Sequence, residues 1–163
     1  MANSTLDQTD RKILSMLVNN ARTPFLEIAR ECGISGAAVH QRVHKMETSG
    51  VITGSRMTVK PGSLGLGICA CISLSLTDDN KYQEVVDALK HVPEIVECHF
   101  VTGSAALLVK MYCYDNDHLM ETLMNTIQRI PYVQSTNTMI SLNEAFSREV
   151  WVKDSKNAAG RSV

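Results

Sequence analysis

The chain has 163 residues, 44% of them hydrophobic and 20% charged, with a formal net charge of −1. That apolar share excludes a disordered polymer, and the length accommodates one medium domain or two small ones. No apolar run reaches the roughly 18 residues of a membrane-spanning helix, and MANSTLDQTD lacks the basic start and apolar centre of a signal peptide. Cysteines 32, 69, 71, 98 and 113 are odd in number and form no C-x-x-C pair, so we read a reduced, cytoplasmic protein. The net charge hides an asymmetry: residues 1–60 sum to +3 and residues 61–163 to −4. Either the basic part meets a polyanion, or this is ordinary surface charge.

LDQTDRKILSMLVNN predicts a helix. Asp7 is placed to cap it, with Asp10 completing a capping box, and Ile13, Leu14, Leu17 and Val18 form one apolar stripe. Thr23-Pro24 opens a second helix, Thr as N-cap and Pro at the first helical position, with Leu26, Ile28 and Ala29 turned inward. Gly33 ends it and Ser35 caps a third. Small Ala29, the turn-permitting Gly33 and a plugging Val39 describe a helix-turn-helix.

On the third helix Val39, Val43 and Met46 share a narrow arc, while Ala37, His40, Gln41, His44, Lys45 and Thr48 lie across the opposite side. Gly36, Ala37 and Ala38 keep its first turn slim enough for the roughly 12 Å major groove. Gln41 suits an adenine edge; Lys45 and the histidines suit guanine edges or phosphates. Arg42 sits at the border, where phosphate contact and an internal acid pair are equally expected. A plain solvated amphipathic helix is the competing reading. VITGSRMTV predicts a strand pair or wing with Arg56 near the backbone, and KPGSLGLG a hinge.

From residue 68 the pattern is β-α-β-β-α-β: ICACISLSLT, NKYQEVVDALKHV, EIVECHFVTG, AALLVKMYCYD, DHLMETLMNTIQRI and VQSTNTMISLNE. HVPEIVE and RIPYVQS repeat one helix-end-to-strand transition, so two halves meet in one antiparallel sheet with both helices on one face. Strands read as apolar on both sides leave the other face to be covered, which predicts a homodimer. Residues 144–153 either extend the sheet or lie across the partner, and 154–163 read as a loose tail.

Cys69 and Cys71 with Cys98-His99 make a metal site conceivable, but two residues apart along one strand is not chelating geometry, and we expect neither metal nor cofactor. No G-x-S-x-G, H-E-x-x-H or P-loop appears, and an enzyme is not expected. The turn in FVTGSAALL offers amides of Gly103 to Ala105 to a carboxylate, and the run Gln134, Ser135, Thr136, Asn137, Thr138 offers hydroxyls and amides to an amino group. A plain hairpin beside a polar strand accounts for the same residues equally well.

The segment from Leu6 to Gly54 resembles the DNA-binding half of the Lrp/AsnC, or feast/famine, transcriptional regulators. The likeness continues through PGSLG and VTGSAALLVK and spans about 6–153; NNARTP, RVHKM and QSTNTMISL resemble the asparagine-responsive AsnC branch. The resemblance implies an α+β chain with a winged helix-turn-helix at 1–59, a hinge at 60–67, a ferredoxin-like effector and oligomerisation domain at 68–153 and a tail at 154–163. It implies a transcriptional regulator whose dimers gather into a larger oligomer, often an octamer, with an amino-acid effector bound between them. The expected partners are double-stranded DNA, that effector and further copies of the chain, with no membrane. The expected DNA-contacting set is Thr23, Ser35, Ala37, Ala38, His40, Gln41, Arg42, His44, Lys45 and Arg56. The expected effector set is Thr102, Gly103, Ser104, Ala105 and Ala106 with Gln134, Ser135, Thr136 and Thr138. Leucine-responsive members carry an acid and an aromatic after the turn glycine, where this chain has Ser104, Ala105 and Ala106, so the turn holds no counter-charge for an ammonium group. A sensor that acts through protein partners without touching DNA is the alternative function.

Overall fold

Asp7 fixes where the first helix begins. In the computed structural model, which describes residues 6–153, its carboxylate accepts from the Asp10 amide at 2.7 Å while the Asp10 carboxylate accepts from the Asp7 amide at 3.1 Å. This capping box starts α1 (Gln8–Asn19) by satisfying amides that have no partner inside the helix. α2 (Phe25–Cys32) starts one residue later than its sequence suggests. Pro24 is the N-cap and makes no side-chain cap bond. Thr23 instead donates its hydroxyl to the Asn20 carbonyl at 2.7 Å. Ile28 and Ala29 are buried as expected, but Phe25 shares their face and Leu26 is 65% exposed, which corrects the expectation of an inward Leu26. Gly33, at φ 67°, ends α2 in the left-handed conformation, and Ser35 opens α3 (Gly36–Thr48) by accepting from the Ala38 amide at 3.1 Å.

The three helices close on Ile13, Ile28, Ala29, Val39, Val43 and Met46, with Leu14, Leu17, Phe25 and Ile34 packed around them. Residues 51–59 form no strand, so the expected wing is absent as a hydrogen-bonded ladder. Val51 and Ile52 instead donate their amides to the Met46 carbonyl and finish α3. β-branched residues favour strands only where a neighbour offers a ladder.

The Asp7 carboxyl is held below its ordinary value of 3.8, first by the Asp10 amide and then by Arg42. A depressed carboxyl contributes stability in full above its unfolded value and loses it as pH falls through the folded one. Asp7→Ala is therefore expected to lower unfolding stability by about 1 kcal/mol at pH 7. Urea melts should show the gap to wild type closing as pH falls below 3.8.

Residues 58–145 form a second compact unit, while 146–153 group with 6–57. Its elements are β1 (Ile68–Leu76), α4 (Tyr82–Leu89), β2 (Ile95–Phe100), β3 (Leu107–Cys113), α5 (Asn116–Asn125) and β4 (Val133–Ser141). The strands pair antiparallel in the order β2-β3-β1-β4, the ferredoxin-like arrangement. Asp115 caps α5 by accepting from His118. That helix stops at Asn125, and a 3-10 turn (Ile127–Arg129) carries the chain towards Pro131.

Alternation decides which side of the sheet is core. Ala70, Ile72, Leu74 and Leu76 of β1 and Leu107, Val109, Met111 and Cys113 of β3 are buried with Val85, Leu89, Leu119 and Ile127. The intervening residues correct the expectation of two apolar faces. Cys69, Cys71 and Ser73 of β1 lie in register with Tyr112, Lys110 and Leu108 of β3 and with Ser141, Met139 and Asn137 of β4, a mixed surface. On it Lys110 meets Glu144 at 3.1 Å, and this pair pushes the lysine's affinity for its proton well up. Residues 144–153 contain no strand, so they do not extend the sheet; 148–152 line a hollow with Ser15, Val18 and Asn19 of α1.

Candidate nucleic-acid interface and effector site

The outer side of α3 follows from what its inner side must bury. Val39, Val43 and Met46 are 0%, 7% and 2% exposed, which turns Ala37, His40, Gln41, His44, Lys45 and Thr48 to solvent. Gly36 and Ala38 are half-buried, so the first turn stays thin. Lys45 and Arg56 are exposed and form no ion pair among the described residues. His40 rests edge-on against Phe25 with centroids 4.9 Å apart, which gives its ring a fixed seat. His44 lies 3.9 Å from Glu47, too far for a hydrogen bond. Ser35 uses its hydroxyl as the cap, and Thr23 uses its own on Asn20, so both act first through the backbone.

Arg42 takes the internal pairing of its two expected roles. Its Nη1 donates to Asp7 at 2.6 Å and to Asp10 at 2.7 Å, and the two carboxylates raise its pKa. Asp10 is 7% exposed and gains its cation there. Arg42 thus ties the start of α1 to the middle of α3 through Nη1.

The second candidate site lies in residues 58–145. Between β2 and β3 the chain turns through Thr102, Gly103, Ser104 and Ala105, with Gly103 at φ 128°. The Val101 amide donates to Ala106 and the Ala106 amide to Leu74, which pins the turn at its base and buries Ala106. A hollow of about 390 Å³ opens beside it. Of the expected residues, 102–106 and Gln134 line this hollow. Ser135, Thr136 and Thr138 do not. Thr136 accepts from Gln128 at 2.8 Å and pairs with Leu74, and Thr138 pairs with Ile72, both on the core side of the sheet. Gln134 gets its place from a register shift between Ser75 and Leu76, which pair with Ser135 and Val133 and leave Gln134 between them. Sequence reasoning missed Ser75, Leu76, Asp79, Phe100 and Val101, which line the same hollow.

Burial pushes the Cys69 and Cys113 thiols up, away from the thiolate form that metals and electrophiles need. Among the described residues no three His, Cys, Asp or Glu side chains come together, and no helix is long and apolar enough to cross a membrane.

A serine-capped helix seated on its neighbours by three buried side chains, with Gln41 and Lys45 outward, has the form of the second helix of a helix-turn-helix. The chain is a DNA-binding transcriptional regulator. It belongs to the Lrp/AsnC family: the AsnC-type helix-turn-helix domain matches residues 6–47 and the Lrp/AsnC ligand binding domain matches 69–151. It is 36% identical over 150 residues to the regulatory protein AsnC of Escherichia coli (strain K12), covering 92% of this chain and 99% of that one. It is 34% identical over 137 residues to the HTH-type transcriptional regulator FL11 of Pyrococcus horikoshii, covering 84% and 89%. The solved structure of E. coli AsnC superposes with a TM-score of 0.82, at 36% identity over 89% of this chain and 97% of that one. A feast or famine regulatory protein from M. tuberculosis, solved in complex with L-methionine, superposes with a TM-score of 0.84 at 26% identity, covering 91% and 99%.

Proposed function

We propose that α3 reads the major groove through Gln41, His40 and His44, with Lys45 and Arg56 on phosphates and Ala37 and Ala38 giving the clearance. The supporting observation is the division of α3 into a buried Val39, Val43 and Met46 face and an open cationic and amide face. Thr23 and Ser35 serve as backbone anchors at the helix starts. Two copies in a homodimer present their α3 helices to successive grooves roughly 34 Å apart on a near-palindromic site. The dimers gather into a larger oligomer, and the work is done in the cytoplasm without catalysis. An α-amino acid bound at the 102–106 turn biases one assembly, and hence one spacing of the reading helices, through its difference in affinity between assemblies. Residues 1–59 carry the DNA, 60–67 act as the hinge and 68–153 take the effector.

The test is a gel shift of the full chain on its own promoter region across a salt series, with and without each of the twenty amino acids. Specific, salt-steep binding that shifts with at least one amino acid is expected. Binding that is absent at low salt overturns the DNA reading, and binding indifferent to all twenty overturns the effector reading.

A further inference from the structure

The turn carries no acid, yet the hollow beside it does. Asp79 is the one charged side chain among the described residues that line it. Asp79 opens the 3-10 turn after β1, where Asp78 supplies the cap by accepting from the Asn80 amide at 3.0 Å. The Asp79 carboxylate is left with no hydrogen bond or ion pair among the described residues, and nearby Lys81 is held by Glu84 at 2.7 Å. In the same lining the amides of Thr102, Gly103, Ser104 and Ala105 donate to no acceptor among the described residues; only the flanking Val101 and Ala106 amides are used. The hollow is therefore lined both by a row of residues with unpaired backbone donors and by a single unpaired carboxylate.

The geometry points to Asp79 as the residue that recognises the ammonium group of a zwitterionic, side-chain-neutral α-amino acid whose carboxylate sits on the turn amides. This rests on the effector reading above and assigns it a specificity-determining residue. Successive unpaired amides in a turn attract a carboxylate. An ammonium group facing a carboxylate makes a hydrogen bond roughly twice as strong as a neutral one. The acid missing from the turn is thus replaced from the β1–α4 connection. A basic ligand side chain finds no second acid in the hollow, and an acidic one finds only Asp79, of its own sign. Ser75, Gln134 and Leu76 remain for a neutral side chain, and Phe100 is steadied by stacking on Tyr82 at 4.3 Å.

Calorimetric titration of the full chain tests this with L-asparagine and L-methionine and with their deaminated counterparts, succinamic acid and 4-(methylthio)butanoic acid. Wild type is expected to bind at least one amino acid about tenfold or more tightly than its deaminated counterpart. Asp79→Asn, nearly isosteric and at an exposed position, is expected to remove that preference, as is Asp79→Ser. Gly103→Ala is expected to weaken both kinds of ligand, because a side chain at φ 128° strains the turn. A preference that survives in both Asp79 variants, with binding still sensitive to Gly103→Ala, overturns the role of Asp79 and leaves the turn as the effector site. Binding indifferent to Gly103→Ala, or no binding of either amino acid by wild type, overturns the effector site and this inference with it.

Discussion

Lys45→Ala is expected to weaken binding to every duplex by a similar factor and to flatten the slope of log affinity against log salt by about one unit. Lys45 is exposed on the outer side of α3 with no acid partner among the described residues, so its charge is available to one phosphate. Gln41→Ala has the complementary signature. A lost bidentate contact to a base costs about 1–3 kcal/mol on the matching operator and little elsewhere. Anisotropy titrations on operator and random duplexes between low and high salt separate the two. An unchanged slope for Lys45→Ala would remove it from the phosphate contacts. A uniform loss for Gln41→Ala would remove it from base reading.

The largest stability effect is expected at Val39. This side chain is fully buried among Ile13, Ile28, Ala29, Val43 and Met46. A carboxylate there has no partner, and an uncompensated buried charge costs about 3–5 kcal/mol, much of a small domain's stability. Val39→Asp should unfold the three-helix unit at the assay temperature and abolish operator binding. The cluster around Ile72, Leu74 and Leu107 is separate, so its calorimetric transition should persist. Leu26→Asp, on an exposed residue of α2, should stay within about 0.5 kcal/mol of wild type. An unaltered melt for Val39→Asp would mean that α3 is seated by some other face.

Local chemistry made much of this legible from sequence. The capping box at Asp7 and Asp10, the Gly33 turn and the Ser35 cap each need only residues three or four apart. The β-α-β-β-α-β order likewise follows from periodicity and helix ends. What was misread depends on distant partners. Residues 51–59 have strand composition, but no neighbouring strand offers them a ladder. Leu26 is the exception on α2: at about 100° per residue, Phe25, Ile28, Ala29 and Cys32 share one arc and Leu26 falls well outside it, so the wheel itself places Leu26 outward. The run from Gln134 to Thr138 cannot all line one site, since alternate strand residues face opposite ways. That limit was readable in advance, but the register shift that brings Gln134 to the turn was not, because it belongs to the pairing with β1. Asp79 was invisible for a similar reason: only the folded sheet sets its connection beside a turn more than twenty residues downstream.

The double grip of Arg42 on Asp7 and Asp10 makes the first turn of α1 a part of the reading head. The tilt at which α3 meets a groove is inherited from a cap two helices away. Sequence drift around Leu6 to Asp10 can therefore retune operator preference without altering any residue that touches a base.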